Sequence, residues 1–474
     1  MQFLDLDTLK ALRLSSRQLC AECTGPRFKS FIRDRAIELT KPALRSFREL
    51  VVHPELGAVV KNLKIMATVY DQTRQLKIVN AWDHPIPDAG PSLSSPSTEV
   101  FLQARDDLAW LQAQQQRQDE LSYDEAADNL SFFLRHIRKL DGIELDAVLV
   151  QGPTTIETTD TGRTNWYPVW MRASRVYCLT MEVIAQSGIR PKRLAVYQRT
   201  PRCSVPIYDI TTNLEMLDSA NLKNAGKYIE QLALSISTKV VTGATERPPR
   251  VPVACHDVAC YERTATIAYV CSLGGDHCLD DEKFDGLARF LKFTPNLKTL
   301  DIHFYSTLLK SRISYQLMFT IVANEIRLPL LRQCSLRGIT TSEESLLQFL
   351  SNHPQITDLT LNQISLTPEG SWESIFAHIS QKLPNLARLH LSTLKASNKK
   401  TINLHPVWEH HSKELEENSR SQVYYVHTKE FSAADIRKGL EFRPKPYAVV
   451  QGSPAARSWL ISVKREYGAP WESK

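Results

Sequence analysis

The chain has 474 residues, 42% of them hydrophobic, enough to bury a sizeable core. Lys+Arg 58 against Asp+Glu 52 leaves a formal charge of +6, so composition makes no electrostatic case for nucleic acid or a membrane surface. No window reaches the roughly eighteen uninterrupted apolar residues of a membrane span. The N-terminal Met1-Gln-Phe-Leu-Asp-Leu-Asp stretch carries acids where a secretory signal carries bases. Nine cysteines in a long chain without such a signal predict reduced thiols and a cytoplasmic or nuclear setting.

Leu4 to Phe31 reads as one and a half short helices, with Asp7 as N-cap and Leu4, Leu6, Leu9, Leu12, Leu14 and Leu19 as apolar positions. So small a segment cannot fold alone and must dock on the rest of the chain, on a partner, or on both. Leu4-Asp-Leu-Asp-Thr-Leu-Lys-Ala-Leu-Arg-Leu-Ser-Ser-Arg-Gln-Leu-Cys-Ala21 resembles the second half of an F-box, and Pro26-Arg-Phe-Lys-Ser-Phe31 resembles the hand-over to the first repeat in F-box/leucine-rich-repeat proteins. The resemblance implies a receptor whose N-terminal leucines dock on a Skp-type adaptor of a cullin ubiquitin ligase while the repeats hold a protein substrate. The family's module opens with a leucine-proline start and a first amphipathic helix, and Met1 falls after both. The resemblance therefore implies either a start upstream of Met1 or a shortened form lacking part of the adaptor contact. An end cap on the repeats is the plainer reading of the same leucines.

Pro42 to Asp71 reads as the first repeat: a helix from Pro42 to Leu50, His53-Pro54, then a strand Val60-Lys-Asn-Leu63-Lys-Ile65. Ala81 to Pro96, rich in Pro, Ser, Gly and Asp, reads as a loop. Helices follow at Val100 to Gln118, whose glutamine-rich end is a polar face, and at Tyr123 to Ile137. A second strand at Ile143 to Leu145 makes Ala81 to Ser122 an insertion between repeats. Val169 to Gln186 is a helix closed by Gly188, followed by a strand at Arg193 to Tyr197, a helix at Leu214 to Leu222, and a strand at Ile229 to Ile236.

The clearest pattern is Leu297-x-x-Leu300-x-Ile302, Leu331-x-x-Cys334-x-Leu336, Ile356-x-x-Leu359-x-Leu361 and Leu386-x-x-Leu389-x-Leu391, each preceded by a proline (Pro295, Pro329, Pro354, Pro384) and a helix-period run. Recurrence every roughly 25 to 34 residues reads as an irregular leucine-rich repeat, about eight units in all. Asn352-His353-Pro354 echoes His53-Pro54. After Leu394 the pattern stops; Val423 to His427 is a candidate strand and Ser432 to Leu440 a capped helix, a tail that covers the last repeat. The expected fold class is α/β: a leucine-rich-repeat solenoid with its parallel sheet on the concave side and helices on the convex side. Residues 1–40 form the F-box-like segment, 41–395 the solenoid with an insertion near 81–122, and 396–474 the cap and tail.

Cys255-His256, Cys260, Cys271 and His277-Cys278 crowd six possible zinc ligands into a short stretch, but their spacings differ from the C-x-x-C knuckles of tetrahedral sites, and Cys271 lies in an apolar run. Cys20-Ala-Glu-Cys23 has no second pair, and His405, His410 and His411 have no acidic or thiol partner at a fixed spacing. No metal or cofactor is therefore expected. Gly274-Gly275-Asp276 lacks the lysine of a phosphate loop, and no hydrolase or zinc-protease motif is present, so the expectation is a binding protein and not an enzyme. The residues alternating with the leucines point away from the core; Asp301, His303, Arg337, Asp358, Asn362, Arg388 and His390 are the candidate ligand contacts. A stand-alone scaffold without ligase activity is the alternative reading.

Overall fold

The computed structural model describes residues 11, 14–16, 18, 25–83, 97–137, 139–154, 156–157, 167–200, 203–217, 219–237, 284–305, 312–367, 369–396, 402, 404, 428–440 and 442. They fall into two compact units: Met1–Pro191 with Arg199–Cys203 and Thr245–Val270, and Lys192–Gln198 with Ser204–Ala244 and Cys271–Lys474. The fold is α/β, built on mostly parallel strands. Among the described residues no helix is long and apolar enough to cross a membrane.

The first unit holds α1 (Pro26–Arg33), β1 (Asp34–Glu38), α2 (Lys41–Val52), β2 (Asn62–Tyr70), α3 (Thr73–Asp83), α4 (Thr98–Asp119), α5 (Tyr123–His136), β3 (Gly142–Val150), β4 (Ile156–Glu157) and α6 (Tyr167–Ser187). Strands β1, β2 and β3 pair in parallel, and β4 returns antiparallel on β3. Helix α2 begins with Pro42 in its first turn, where a missing N–H is harmless, and buries Leu44, Phe47 and Val51 at helical spacing. Phe47 meets Phe133 of α5 edge-on at 4.8 Å. Helix α5 opens on a capping box in which Ser122 and Glu125 each accept from the other's backbone N–H. Helix α6 is followed by Gly188 in the left-handed region, as its composition predicts.

The first unit departs from the sequence expectation at two places. The stretch assigned wholly to a helical N-terminal segment contains a strand: β1 pairs with β2 from Asp34↔Asn62 to Glu38↔Met66. Only Ile37 of that strand is buried, so alternation gave little signal. Ala81 to Asp83, read as loop, close helix α3, where Trp82 stacks on Phe101 at 4.7 Å. The glutamine-rich end of α4 is polar as expected except at Gln118, which is buried and donates to the Thr68 carbonyl at 3.2 Å.

The second unit holds β5 (Arg193–Val196), β6 (Val205–Pro206), α7 (Ile207–Met216), α8 (Ser219–Gly226), β7 (Gln231–Ser237), α9 (Gly286–Lys292), β8 (Thr299–Tyr305), α10 (Arg312–Glu325), β9 (Gln333–Arg337), β10 (Thr340–Thr341), α11 (Glu343–Ser351), β11 (Asp358–Asn362), β12 (Ser365–Leu366), α12 (Trp372–Lys382), β13 (Arg388–Ser392), β14 (Thr428–Ser432) and α13 (Ala433–Arg437). The main sheet runs β5-β7-β8-β9-β11-β13 in parallel and ends on antiparallel β14. The expected helix at Leu214 to Leu222 is instead broken into α7 and α8, because Leu217 turns extended at ψ 149° and ends α7 by donating to the Asn213 carbonyl. The tail closes the last strand: Phe431, Ile436 and Leu440 are buried, and Phe442 packs on Phe376 at 4.7 Å.

The repeat is written in backbone hydrogen bonds. The residue before each proline accepts from the first apolar residue of the pattern: Leu297 N–H to Thr294, Leu331 to Leu328, Ile356 to His353 and Leu386 to Leu383, at 3.1–3.3 Å. This is a β-turn with proline at its second position, where the ring already fixes φ. The chain then enters the strand by a fork in which one carbonyl accepts two successive N–H groups of the next strand. Lys298 O takes Arg332 and Gln333, Arg332 O takes Thr357 and Asp358, and Thr357 O takes Ala387 and Arg388. After the strand a left-handed residue reverses the chain: Gly338 (φ 72°), Gln363 (φ 52°) and Thr393 (φ 51°). Leu297, Leu331, Ile356 and Leu386 lie ahead of their strands, not within them, and each is buried. His53-Pro54 does not repeat this turn; His53 is exposed, and its carbonyl accepts from Gly57 at 3.0 Å.

Candidate functional site

In a parallel sheet every second side chain of a strand falls on one face, and register stacks those residues into rows. In the second unit three rows emerge. One reads Arg193, Gln231, Thr299, Gln333, Asp358, Arg388 and Ser432; the next Ala195, Ala233, Asp301, Ser335, Thr360, His390 and Glu430; the last Ser235, His303, Arg337, Asn362, Ser392 and Thr428. All seven residues picked from the sequence in this region sit on this face.

Their environments differ. Arg337 reaches diagonally past the small Ser335 to Asp301 and holds it with two parallel bonds, Nε–Oδ1 3.2 Å and Nη2–Oδ2 2.8 Å. Gln198 Nε2 donates to the same carboxylate at 2.7 Å. Both charged side chains are largely covered, so the pair is a fixed part of the floor. One strand on, Arg388 Nε donates to Asp358 directly opposite it, and Thr357 Oγ1 donates to the other carboxylate oxygen at 2.8 Å. Here the arginine is 75% exposed. His390 faces Glu430 with Nδ1 3.4 Å from Oε1. Asn362 is half-buried between Arg337 and Ser392.

His303 departs from the expected ligand contact. It stands in the row but not in solvent: it is 2% exposed, and its ring lies 3.9 Å from that of Tyr305. Strand β8 runs two residues further than β9, which carries Tyr305 onto the same face. Burial, then the nearby Arg337 charge, hold His303 neutral well below the usual imidazole range.

Removing Arg337 leaves the covered Asp301 carboxylate without its main partner. Arg337→Ala is expected to cost about 3 kcal/mol, read as a lower urea midpoint, whereas Arg388→Ala at the exposed pair leaves the midpoint unchanged.

The first unit has a charged face that the sequence did not single out. Lys64 lies between Glu144 at 2.9 Å and Asp146 at 2.8 Å. Burial opposes its charge, but the hydrogen bonds to the two acids outweigh burial and raise its pKa above the usual lysine value. Arg199 adds a contact to Glu144 at 3.7 Å, and Thr200 Oγ1 donates to Asp146. The signal was present as Lys64-Ile65 and Glu144-Leu145-Asp146, charged residues alternating with core positions.

Of the candidate adaptor contacts, Leu14 is described and is 89% exposed. Leu4, Leu6, Leu9, Leu12 and Leu19 lie outside the described residues, as do Cys20 and Cys23, the Cys255 to Cys278 cluster, Gly274 to Asp276, the three histidines between His405 and His411, and the candidate strand at Val423 to His427. Among the described residues no group of three or more His, Cys, Asp or Glu is placed to hold a metal ion. No protein-family model matches the chain, and no curated protein matches it.

Proposed function

We propose that the chain is a protein-recognition receptor of irregular leucine-rich-repeat solenoid type, serving as the substrate-recognition subunit of a cullin ubiquitin ligase. Its repeats hold a protein substrate on the polar rows of the sheet. Its N-terminal leucines dock on a Skp-type adaptor. The observation that carries the recognition half is the recurrence of one unit, a proline turn, a forked entry, a polar-faced strand and a left-handed exit, from Leu328 to Thr393. Such stacking yields an extended surface of alternating outward side chains, which suits a macromolecular ligand. Support for the adaptor half is the F-box-like sequence itself, with Leu14 standing almost fully in solvent within it.

A pull-down with purified Skp-type adaptor tests the ligase half. The full chain is expected to retain the adaptor, and Leu14→Asp to weaken retention about 30-fold without lowering the melting temperature. Retention by neither the chain nor a version extended upstream of Met1 leaves the stand-alone scaffold as the reading.

A further inference from the structure

Charge that looks scattered along the sequence is gathered by the second unit at the end of the sheet where its strands begin. Lys192, Glu230, Lys298, Arg332, Thr357 and Ala387 form one row, each N–H from Glu230 onward donating to the carbonyl of the preceding member at 2.7–2.8 Å. Lys192, Lys298 and Arg332 are therefore spread over three strand spacings, about 14 Å, though they lie far apart in the chain. Lys227 and Arg327, in the turns leading into β7 and β9, and Arg388 at the start of β13 extend the same rim, and all six basic side chains are exposed. Acids are fewer there, and each has a basic partner: Glu230 with Lys298 at 2.8 Å, Glu325 with Lys292 at 2.7 Å, and Asp358 with Arg388. Among the described residues Lys192, Lys227, Arg327 and Arg332 make no ion pair.

The rim is not purely ionic. Tyr228 and Leu330, each three residues ahead of its strand, are 42% and 41% exposed. They lie two strands apart on the same edge as the lysines and arginines.

We infer that this rim binds an acidic peptide segment carrying apolar side chains. The excess positive charge selects carboxylates and speeds encounter, while Tyr228 and Leu330 offer apolar anchors that a nucleic-acid backbone does not use. A strand of bases needs aromatic platforms for successive stacking, and the rim's second apolar residue is a leucine. The inference rests on the reading of this unit as a protein-binding surface and adds the chemistry of its ligand.

Fluorescence anisotropy of the full chain tests it with three labelled probes: a synthetic peptide of glutamates interrupted by leucines, its lysine counterpart, and an oligothymidylate. The acidic peptide is expected to bind, to weaken as salt shortens the screening length, and to bind the Lys298→Gln/Arg332→Gln double variant about tenfold more weakly. Arg332→Lys keeps the charge while losing the bond from Nη1 to the Gln355 carbonyl, and retains binding. The double variant keeps the parent's melting temperature and adaptor retention, which separates a lost rim from a lost fold. Absence of acidic-peptide binding, equal binding by the double variant, equal binding of the lysine peptide, or tighter binding of the oligothymidylate overturns the inference. Adaptor retention together with no peptide binding removes the rim alone; peptide binding without adaptor retention removes the ligase alone.

Discussion

Gly338→Ala is expected to destabilise the second unit by about 3 kcal/mol and to lower its melting temperature by about 10 °C. Gly338 follows β9 at φ 72°, a conformation that costs an L side chain about 1 kcal/mol. The larger part is steric. A Cβ there falls 2.1 Å from the Phe304 carbonyl oxygen, and that oxygen belongs to a strand that cannot shift without breaking its ladder. The next repeats make the contrast. Gln363 and Thr393 occupy the same position with the same sign of φ, and Gln363 N–H donates to the Ser392 carbonyl just as Gly338 N–H donates to that of Asn362. They are tolerated because the strands before them end level, whereas β8 continues to Tyr305 and presses its backbone against Gly338. Gln363→Gly is thus expected to stay within about 1 kcal/mol of the parent, on the stabilising side. Thermal unfolding of the two variants, followed by circular dichroism, decides. Equal losses at both positions mean that the conformation, and not the Phe304 carbonyl, sets the demand for glycine.

That glycine shows where sequence reasoning stops. The local code of the later repeats is legible: an apolar spacing fixes which side chains go inward, and a proline in a turn presets the entry to the strand. The candidate face residues followed from alternation alone, since a strand has only two faces. What alternation could not say is which of them remain in solvent. Arg337 and Arg388 look alike in sequence, yet one is locked over Asp301 because Ser335 between them is small, while the other stands out beside Asp358. His303 is covered because β8 is two residues longer than its neighbour, a length set by pairing with β7 and not by its own residues. The first unit was harder to read, because β1 has a single buried side chain and its partner lies 28 positions downstream. The basic rim was invisible for the same reason. Lys192, Lys298 and Arg332 become neighbours only through register.

His353→Leu is expected to cross the parent's stability as pH changes: less stable by about 1–2 kcal/mol near pH 8, and equal or more stable near pH 5. The ring is fully buried between repeats. Its Nδ1 is bonded to the Phe349 carbonyl at 2.7 Å, and its Nε2 accepts from Leu328 N–H at 3.2 Å. A neutral imidazole with its proton on Nδ1 satisfies both. Burial, with Arg327 adding repulsion, lowers the pKa of His353 below the usual value and outweighs the opposite pull of the Phe349 carbonyl. The unfolded chain therefore takes up the proton first as pH falls through about 6.5. Stability is full above that value and declines below it by up to about 1.4 kcal/mol per pH unit until the folded state also protonates. His303 and His378 shift in the same direction, so the parent's slope in that window is steeper than His353 alone would give, while the difference between parent and variant isolates His353. Leucine is the right probe because the matching position before the proline is Leu328 in the preceding repeat and Leu383 in the following one, both buried. It fits the slot, leaves Leu328 N–H without an acceptor at every pH, and carries no proton. Urea midpoints for the parent and the variant from pH 5 to pH 8 give the two slopes. Parallel curves mean that His353 is protonated as readily in the fold as outside it, and that the bond from Leu328 does not hold it neutral.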